Sequence, residues 1–219
     1  GMADELVFYT HPMSRGRIVR WMLEEVGEPY RTELLDYATT MKAPEYLAVN
    51  PMGKVPALRH GDVVVTESAA ICAYLADAFP KAGLAPAAND RLRGPYYRWL
   101  FFGAGPLEAA ATNKAMGFEV PPERKPMAGY GSLADVTAAL DGALSGREYL
   151  VGDRFSAADL YVGSQLGWLM HFGTIEKRPA FEAYVKRLTS RPAAVRARET
   201  DDALMPAQPP AEGRRRHTC

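Results

Sequence analysis

One proline constrains the fold of this chain more than any other residue. Residues 53–71 read GKVPALRHGDVVVTESAAI. The apolar runs predict two strands within 55–66, joined by a tight turn at His60-Gly61-Asp62, and a helix over 67–80. Pro56 has no N–H, so it cannot sit in the middle of a paired ladder. Two readings follow. In one, Pro56 simply lies on an edge strand. In the other, the Val55-Pro56 peptide is cis, and the kink turns the N–H and C=O of Val55 outward to pair with an extended ligand.

The rest of the first 80 residues alternates strand and helix signals. LVFYT is β-rich, and SRGRIVRWMLEEVG places Ile18, Val19, Met22, Leu23 and Val26 on one helical face with Gly27 as the stop. YRTELLDY predicts a second strand and APEYLAVN a short helix. The order through residue 80 is β-α-β-α-β-β-α. Residues 81–89 read as a loose linker, with Gly83 and Pro86. Beyond it every pattern is helical. One long helix over 90–117 is bent at Gly103, Gly105 and Pro106. Others follow over 127–146 and 157–172, then two that open on proline. The expected fold is α/β plus all-α. An α/β unit spans 1–80, a helical unit 90–203, and a tail without apolar periodicity 204–219, expected to be disordered.

Lys plus Arg equals Asp plus Glu, 26 of each, so neither nucleic acid nor an anionic membrane is favoured as a partner. There are two cysteines, Cys72 and Cys219, which excludes a disulfide framework and fits a reducing, cytoplasmic setting. Asp4 and Glu5 stand where a signal peptide needs basic residues. The longest apolar stretch, 160–172, is too short to span a bilayer and reads as a core helix. No metal site is expected.

Three helix starts carry possible chemistry. Thr66-Glu67-Ser68 opens the helix after the hairpin. Free N–H groups there favour an anion, and Glu67 can hold an ammonium; alternatively Ser68 only caps. At Thr10-His11-Pro12-Met13-Ser14, a hydroxyl beside a helix N-terminus can hydrogen-bond a thiolate, or Ser14 can cap its own helix. At Phe155-Ser156-Ala157-Ala158-Asp159-Leu160 the spacing is that of a capping box, with Ser156 and Asp159 in structural roles and Phe155 stapled onto Leu160.

The pieces NPMGKVPAL (50–58), TESAAICAYLAD (66–77) and FSAADLYVG (155–163), on a β-α-β-α-β-β-α unit followed by helices, resemble the cytosolic glutathione transferases. The resemblance covers roughly residues 5–200 and implies a thioredoxin-like first domain and a helical-bundle second domain. It implies that Pro56 is a cis-proline and that Val55 pairs with the cysteinyl backbone of glutathione. Glu67 and Ser68 would hold the γ-glutamyl end, and Lys42 and Lys54 the glycyl carboxylate. Alignment of the first helix points to Ser14 as the residue that activates the thiol, with Thr10 and Tyr9 behind it. An electrophile pocket is expected between the first helix and the long helix of the second domain. His11, Tyr97, Phe101, Phe102, Glu108 and Met116 are its candidates, with Trp168 at the edge. The packing alternative places these aromatics in an interdomain or dimer core. The implied activity is conjugation of glutathione, as co-substrate, to a small hydrophobic electrophile, in a homodimer active in detoxification. The alternatives are another glutathione-dependent reaction (isomerase, dehalogenase, disulfide reductase) and a non-catalytic binding module.

Overall fold

The computed structural model describes residues 4–206; the expected tail beyond Pro206 lies outside them. Four strands form one sheet: β1 (Leu6–Thr10), β2 (Arg31–Leu34), β3 (Ala57–His60) and β4 (Val63–Thr66). Their order is β2-β1-β3-β4, with β1 parallel to β2 and antiparallel to β3, and β3 antiparallel to β4. Helices α1 (Gly16–Val26) and α3 (Ser68–Ala78) cover one face, and the short α2 (Pro44–Leu47) the other. Alternation along β1 explains the layering. Leu6 and Phe8 join the large core under α1 and α3, while Val7 and Tyr9 pack with Tyr46 of α2. This is the thioredoxin-like arrangement.

Helix α1 ends where the sequence places its stop. Gly27 takes φ 79, and its N–H donates to the Leu23 carbonyl at 3.0 Å. The hairpin turn is Gly61-Asp62, with Gly61 at φ 61. The first strand of the hairpin starts later than the pattern suggests. Pro56 stands just before β3 rather than inside it, because a residue without an N–H cannot join the ladder. The Val55-Pro56 peptide is cis.

Helices α4 (Arg93–Phe102), α5 (Glu108–Ala115), α6 (Leu133–Leu144), α7 (Ala157–His171), α8 (Pro179–Thr189) and α9 (Pro192–Ala203) form the second unit. Between α4 and α5 the chain stays helical but widens into a π turn over Gly103–Leu107, where Pro106 cannot donate. Gln165 of α7 donates to the Gly103 carbonyl at 2.9 Å. Helix α6 starts later than 127. Pro126, Gly129 and Gly131 keep 127–132 out of the helix, and Ser132 caps it by accepting from the Asp135 N–H at 3.1 Å. Helix α7 is the core of the unit, buried from Ala157 through Gly163.

The two units share one core. The buried cluster runs without a break from Leu6, Phe8 and Leu58 of the sheet through α1 and α3 to Trp99, Leu160 and Leu166. Helix α1 lies at its centre, in contact with β1, α3, α7 and α9.

The start of α7 is tied by one carboxylate. Ser156 Oγ accepts from the Ala158 N–H, and Asp159 Oδ2 accepts from the Ser156 N–H at 3.1 Å. Asp159 Oδ1 also accepts from the Leu150 N–H at 2.9 Å and from the Tyr184 hydroxyl at 2.6 Å. Asp159 therefore joins a loop, the α7 cap and α8. Burial pushes its carboxyl up to about 6, although the three donors and Arg191 pull the other way. Asp159→Ala strands three buried donors and is expected to cost about 3 kcal/mol or more, read as a lower thermal midpoint with ligand binding retained. The sign of the pH effect follows from the raised value. Between about pH 4 and 6 the folded state holds more protons than the unfolded chain. Wild-type stability relative to Asp159→Asn should therefore fall as pH rises through that window, by about 1.4 kcal/mol per unit, and be flat above it. Paired denaturant titrations across pH 4–8 measure this.

Candidate active site

Strand register brings three distant segments to one end of the sheet. Tyr9 pairs with Ala57, and Ala57 with Thr66. The end of β1, the start of β3 and the end of β4 are thus neighbours. The residues just beyond them are the 11–15 loop, Val55-Pro56 and Glu67-Ser68.

A cavity of about 320 Å³ opens there, lined by Ser14, Arg15, Lys42, Lys54, Val55 and Trp168 among others. Its wall over 50–54 is held from outside. The Lys54 carbonyl accepts from the Tyr46 hydroxyl at 2.5 Å and from Asn50 Nδ2 at 2.9 Å, and Asn50 Oδ1 accepts from the Met52 N–H at 3.1 Å. Lys42 Nζ donates to the Gly53 carbonyl at 2.9 Å. Gly53 needs its positive φ of 60, and a Cβ there would stand 2.9 Å from Lys42 Nζ. Among the described residues, nothing hydrogen-bonds to the N–H or C=O of Val55.

Glu67 and Ser68 stand beside this cavity rather than in its lining. Glu67 is exposed and takes φ 75, a conformation uncommon for a residue with a Cβ. Ser68 is the first residue of α3, and no side chain caps that helix. The capping alternative for Ser68 is therefore not what the structure contains. The first-turn N–H groups of α3 remain open to an anion.

Ser14 is 6% exposed and already bonded. Its hydroxyl donates to the His11 carbonyl at 2.7 Å and accepts from the Gly16 N–H at 2.9 Å. Thr10 is wholly buried, its Oγ1 lacking a partner among the described residues, and it lies against Gly16. Tyr9 faces α2, its ring 5.5 Å from that of Tyr46, on the other side of the sheet from α1. Cys72 of α3 is buried, and burial pushes its thiol up to about 12, so it stays protonated at neutral pH.

The six residues expected to line an electrophile pocket line none of the described cavities. Tyr97 and Met116 are separated by about 28 Å of helix, too far to line one small cavity. Tyr97 accepts from Arg93 at 3.0 Å, Phe101 is 72% exposed, Phe102 packs on Trp99, and Met116 is exposed at the end of α5. Glu108 pairs with Arg15 across the two units. His11 shapes its own loop, accepting at Nδ1 from the Met13 N–H at 3.0 Å, with its ring against Tyr37. The large apolar cavity lies elsewhere, between α1, α7 and α9. It measures about 710 Å³ and is walled by Ile18, Trp21, Trp168, Phe172 and Ala197. Met13 and Trp168 line both cavities, so the two adjoin. Sequence reasoning placed Trp168 only at an edge and missed α9. Another cavity, about 590 Å³ between α4 and α6, is lined by none of these site residues.

Comparison with known proteins agrees with this fold. Residues 13–78 match the glutathione S-transferase N-terminal domain family, and residues 107–192 the glutathione S-transferase C-terminal domain family. Glutathione S-transferase GST-4.5 of Xanthomonas campestris is 30% identical over 166 residues, covering 73% of this chain and 81% of that protein. A glutathione transferase from Methylococcus capsulatus superposes with a TM-score of 0.76 at 30% identity, over 90% of this chain and 99% of that one. A sphingomonad glutathione S-transferase, solved as a complex with glutathione, gives 0.74 at 31% identity, over 90% and 98%. The chain belongs to the glutathione S-transferase family.

Gly16 sets how closely β1 and α1 approach. A Cβ on it would fall 1.8 Å from Thr10 Oγ1 and 2.9 Å from Ser14 Oγ. Gly16→Ala is expected to cost about 1–3 kcal/mol through overpacking and to displace the 11–15 loop. Equilibrium denaturation checks the first effect and glutathione titration the second.

Proposed function

We propose that this protein is a glutathione transferase. It holds glutathione in the polar cavity at the sheet end and joins its sulfur to a small apolar electrophile in the adjoining cavity. The observation that carries this reading is that adjacency: a cation-rimmed cavity and an apolar one share Met13 and Trp168.

The unpaired N–H and C=O of Val55 suit antiparallel pairing with the cysteinyl unit of the tripeptide. Glu67 accepts from the γ-glutamyl ammonium, while Ser68 and the α3 N-terminus receive its carboxylate. Lys42 and Lys54 face the glycyl carboxylate. The cysteinyl sulfur then points toward the start of α1. There the thiol loses its proton to solvent, and the thiolate attacks the electrophilic carbon. A sulfur–carbon bond forms as the leaving group departs with its electron pair. Trp168, Phe172 and Trp21 bury the apolar part of the electrophile.

Calorimetric titration of glutathione into wild type and Glu67→Ala tests the binding half. The expected result is sub-millimolar affinity, weakened about 10- to 100-fold in the variant. No heat of binding in wild type would refute the assignment.

We also propose a homodimer in a reducing compartment. Tyr97 and Phe101 of α4 and Val63 and Val64 of β4 are exposed apolar residues, and pairing two subunits would cover them. Sedimentation at micromolar concentration should show the mass of two chains; a monomer would contradict this.

A further inference from the structure

We propose that the electrophile is an apolar molecule carrying a carboxylate, and that Arg198 of α9 selects it; this rests on the transferase reading above. The charges in the wall of the apolar cavity carry the inference. Its ionisable lining residues are Arg17 of α1, His171 of α7, and Arg198, Asp201 and Asp202 of α9. Both carboxylates are taken. Asp202 accepts from Arg17 Nη1 at 2.8 Å, and Asp201 from Arg20 Nε at 3.2 Å. Arg17 is committed as well, since its Nε donates to the Pro12 carbonyl at 2.5 Å. Asp202 lies one turn from Arg198 on the same helix, yet it pairs across to α1. Among the described residues, no carboxylate pairs with Arg198. Three guanidiniums, Arg17, Arg20 and Arg198, thus stand against two carboxylates, and one positive charge is left over at the wall.

An uncompensated guanidinium beside apolar walls suits an anion with an apolar body. Its planar fork offers parallel N–H donors that match a carboxylate. A guest that fills the cavity displaces water, which strengthens the attraction. A neutral guest forgoes this pairing, and an ammonium meets a like charge. The arrangement also orients the guest. Met13 and Trp168 mark where this cavity meets the glutathione cavity, whereas Arg198 stands on the α9 wall. With its carboxylate on Arg198 and its body against Ile18, Trp21 and Phe172, the molecule turns its other end, the electrophilic carbon, toward Met13 and the sulfur. The pairing is present before and during the reaction, so it acts on KM more than on kcat.

The test uses two probes built on one ring: a chlorodinitrobenzoate with its carboxylate para to chlorine, and the matching carboxamide. The glutathione thiolate displaces chloride from either. A sulfur–carbon bond forms, the carbon–chlorine bond breaks, and chloride leaves with the electron pair. Each kcat/KM is divided by the uncatalysed rate with glutathione, which gives a carboxylate-to-carboxamide ratio for each protein. In wild type the ratio is expected to be about 10, carried mainly by KM and falling as salt is added. Arg198→Gln should bring it to about 1, and Arg198→Lys should keep an intermediate value. Arg198 is exposed and makes no ion pair among the described residues, so both variants are expected to fold. Arg196→Gln is the control. Arg196 is on the same helix but pairs with Glu24 and does not line the cavity, so the ratio should stay as in wild type. A wild-type ratio near unity, a ratio unchanged in Arg198→Gln, or an equal loss in Arg196→Gln overturns the proposal. Turnover of neither probe by wild type would refute the transferase reading itself, whereas turnover without preference refutes this proposal alone.

Discussion

Helix α1 is held on every side, and Arg20 marks where those constraints meet. Its guanidinium lies over the rings of Phe8 and Tyr30, at 5.0 and 5.6 Å. It donates to Thr32 Oγ1 at 2.9 Å and pairs with Asp201 of α9 at 3.2 Å, with both charges almost wholly buried. One side chain thus binds β1, β2 and α9 to α1. A buried pair of this kind adds little net stability over apolar packing, because desolvation offsets attraction. Its effect is on geometry: the carboxylate and guanidinium are costly in any other docking of α9. The surrounding pairs, Arg17–Asp202 and Arg196–Glu24, are more exposed and contribute little beyond orientation.

The site depends on this docking. One edge of the polar cavity is Trp168 of α7, and the apolar cavity exists only because α7 and α9 pass beside α1. The thioredoxin-like unit supplies the open backbone of Val55 and the cationic rim. The helical unit supplies the aromatic wall and, through Glu108, the anchor of Arg15. Neither unit alone encloses both cavities.

Much of the fold was legible in the sequence because local chemistry punctuates it. Gly27, the Gly61-Asp62 turn, Pro179 and Pro192 mark ends and starts by backbone rules that tertiary context rarely overrides. That 55–56 and 67–68, the segments proposed to hold glutathione, come together was legible too, since they flank one hairpin. The apolar cavity was not. It requires knowing that residues near 18, 168 and 197 converge, and amphipathic patterns show which face is buried without showing against what. The commitment of the Ser14 hydroxyl was equally hidden, because a residue type gives its bonding capacity and not its partners. The false start of α6 at 127 was avoidable, as Pro126, Gly129 and Gly131 argue against helix there.

The π turn between α4 and α5 has a consequence for phase. A π turn amounts to one extra residue inserted in a helix, and one residue corresponds to about 100° of rotation. Everything after Leu107 is thus turned by about that angle relative to an unbroken continuation of α4. Glu108 is the first residue beyond the turn, and it reaches Arg15 in that rotated setting. Gly103 lets the wide turn close against α7, since a Cβ there would come within 2.9 Å of the Tyr161 ring. A one-residue insertion, kept in a helix otherwise uniform from 93 to 115, thereby acts as an angular offset that aims a carboxylate across the domain boundary.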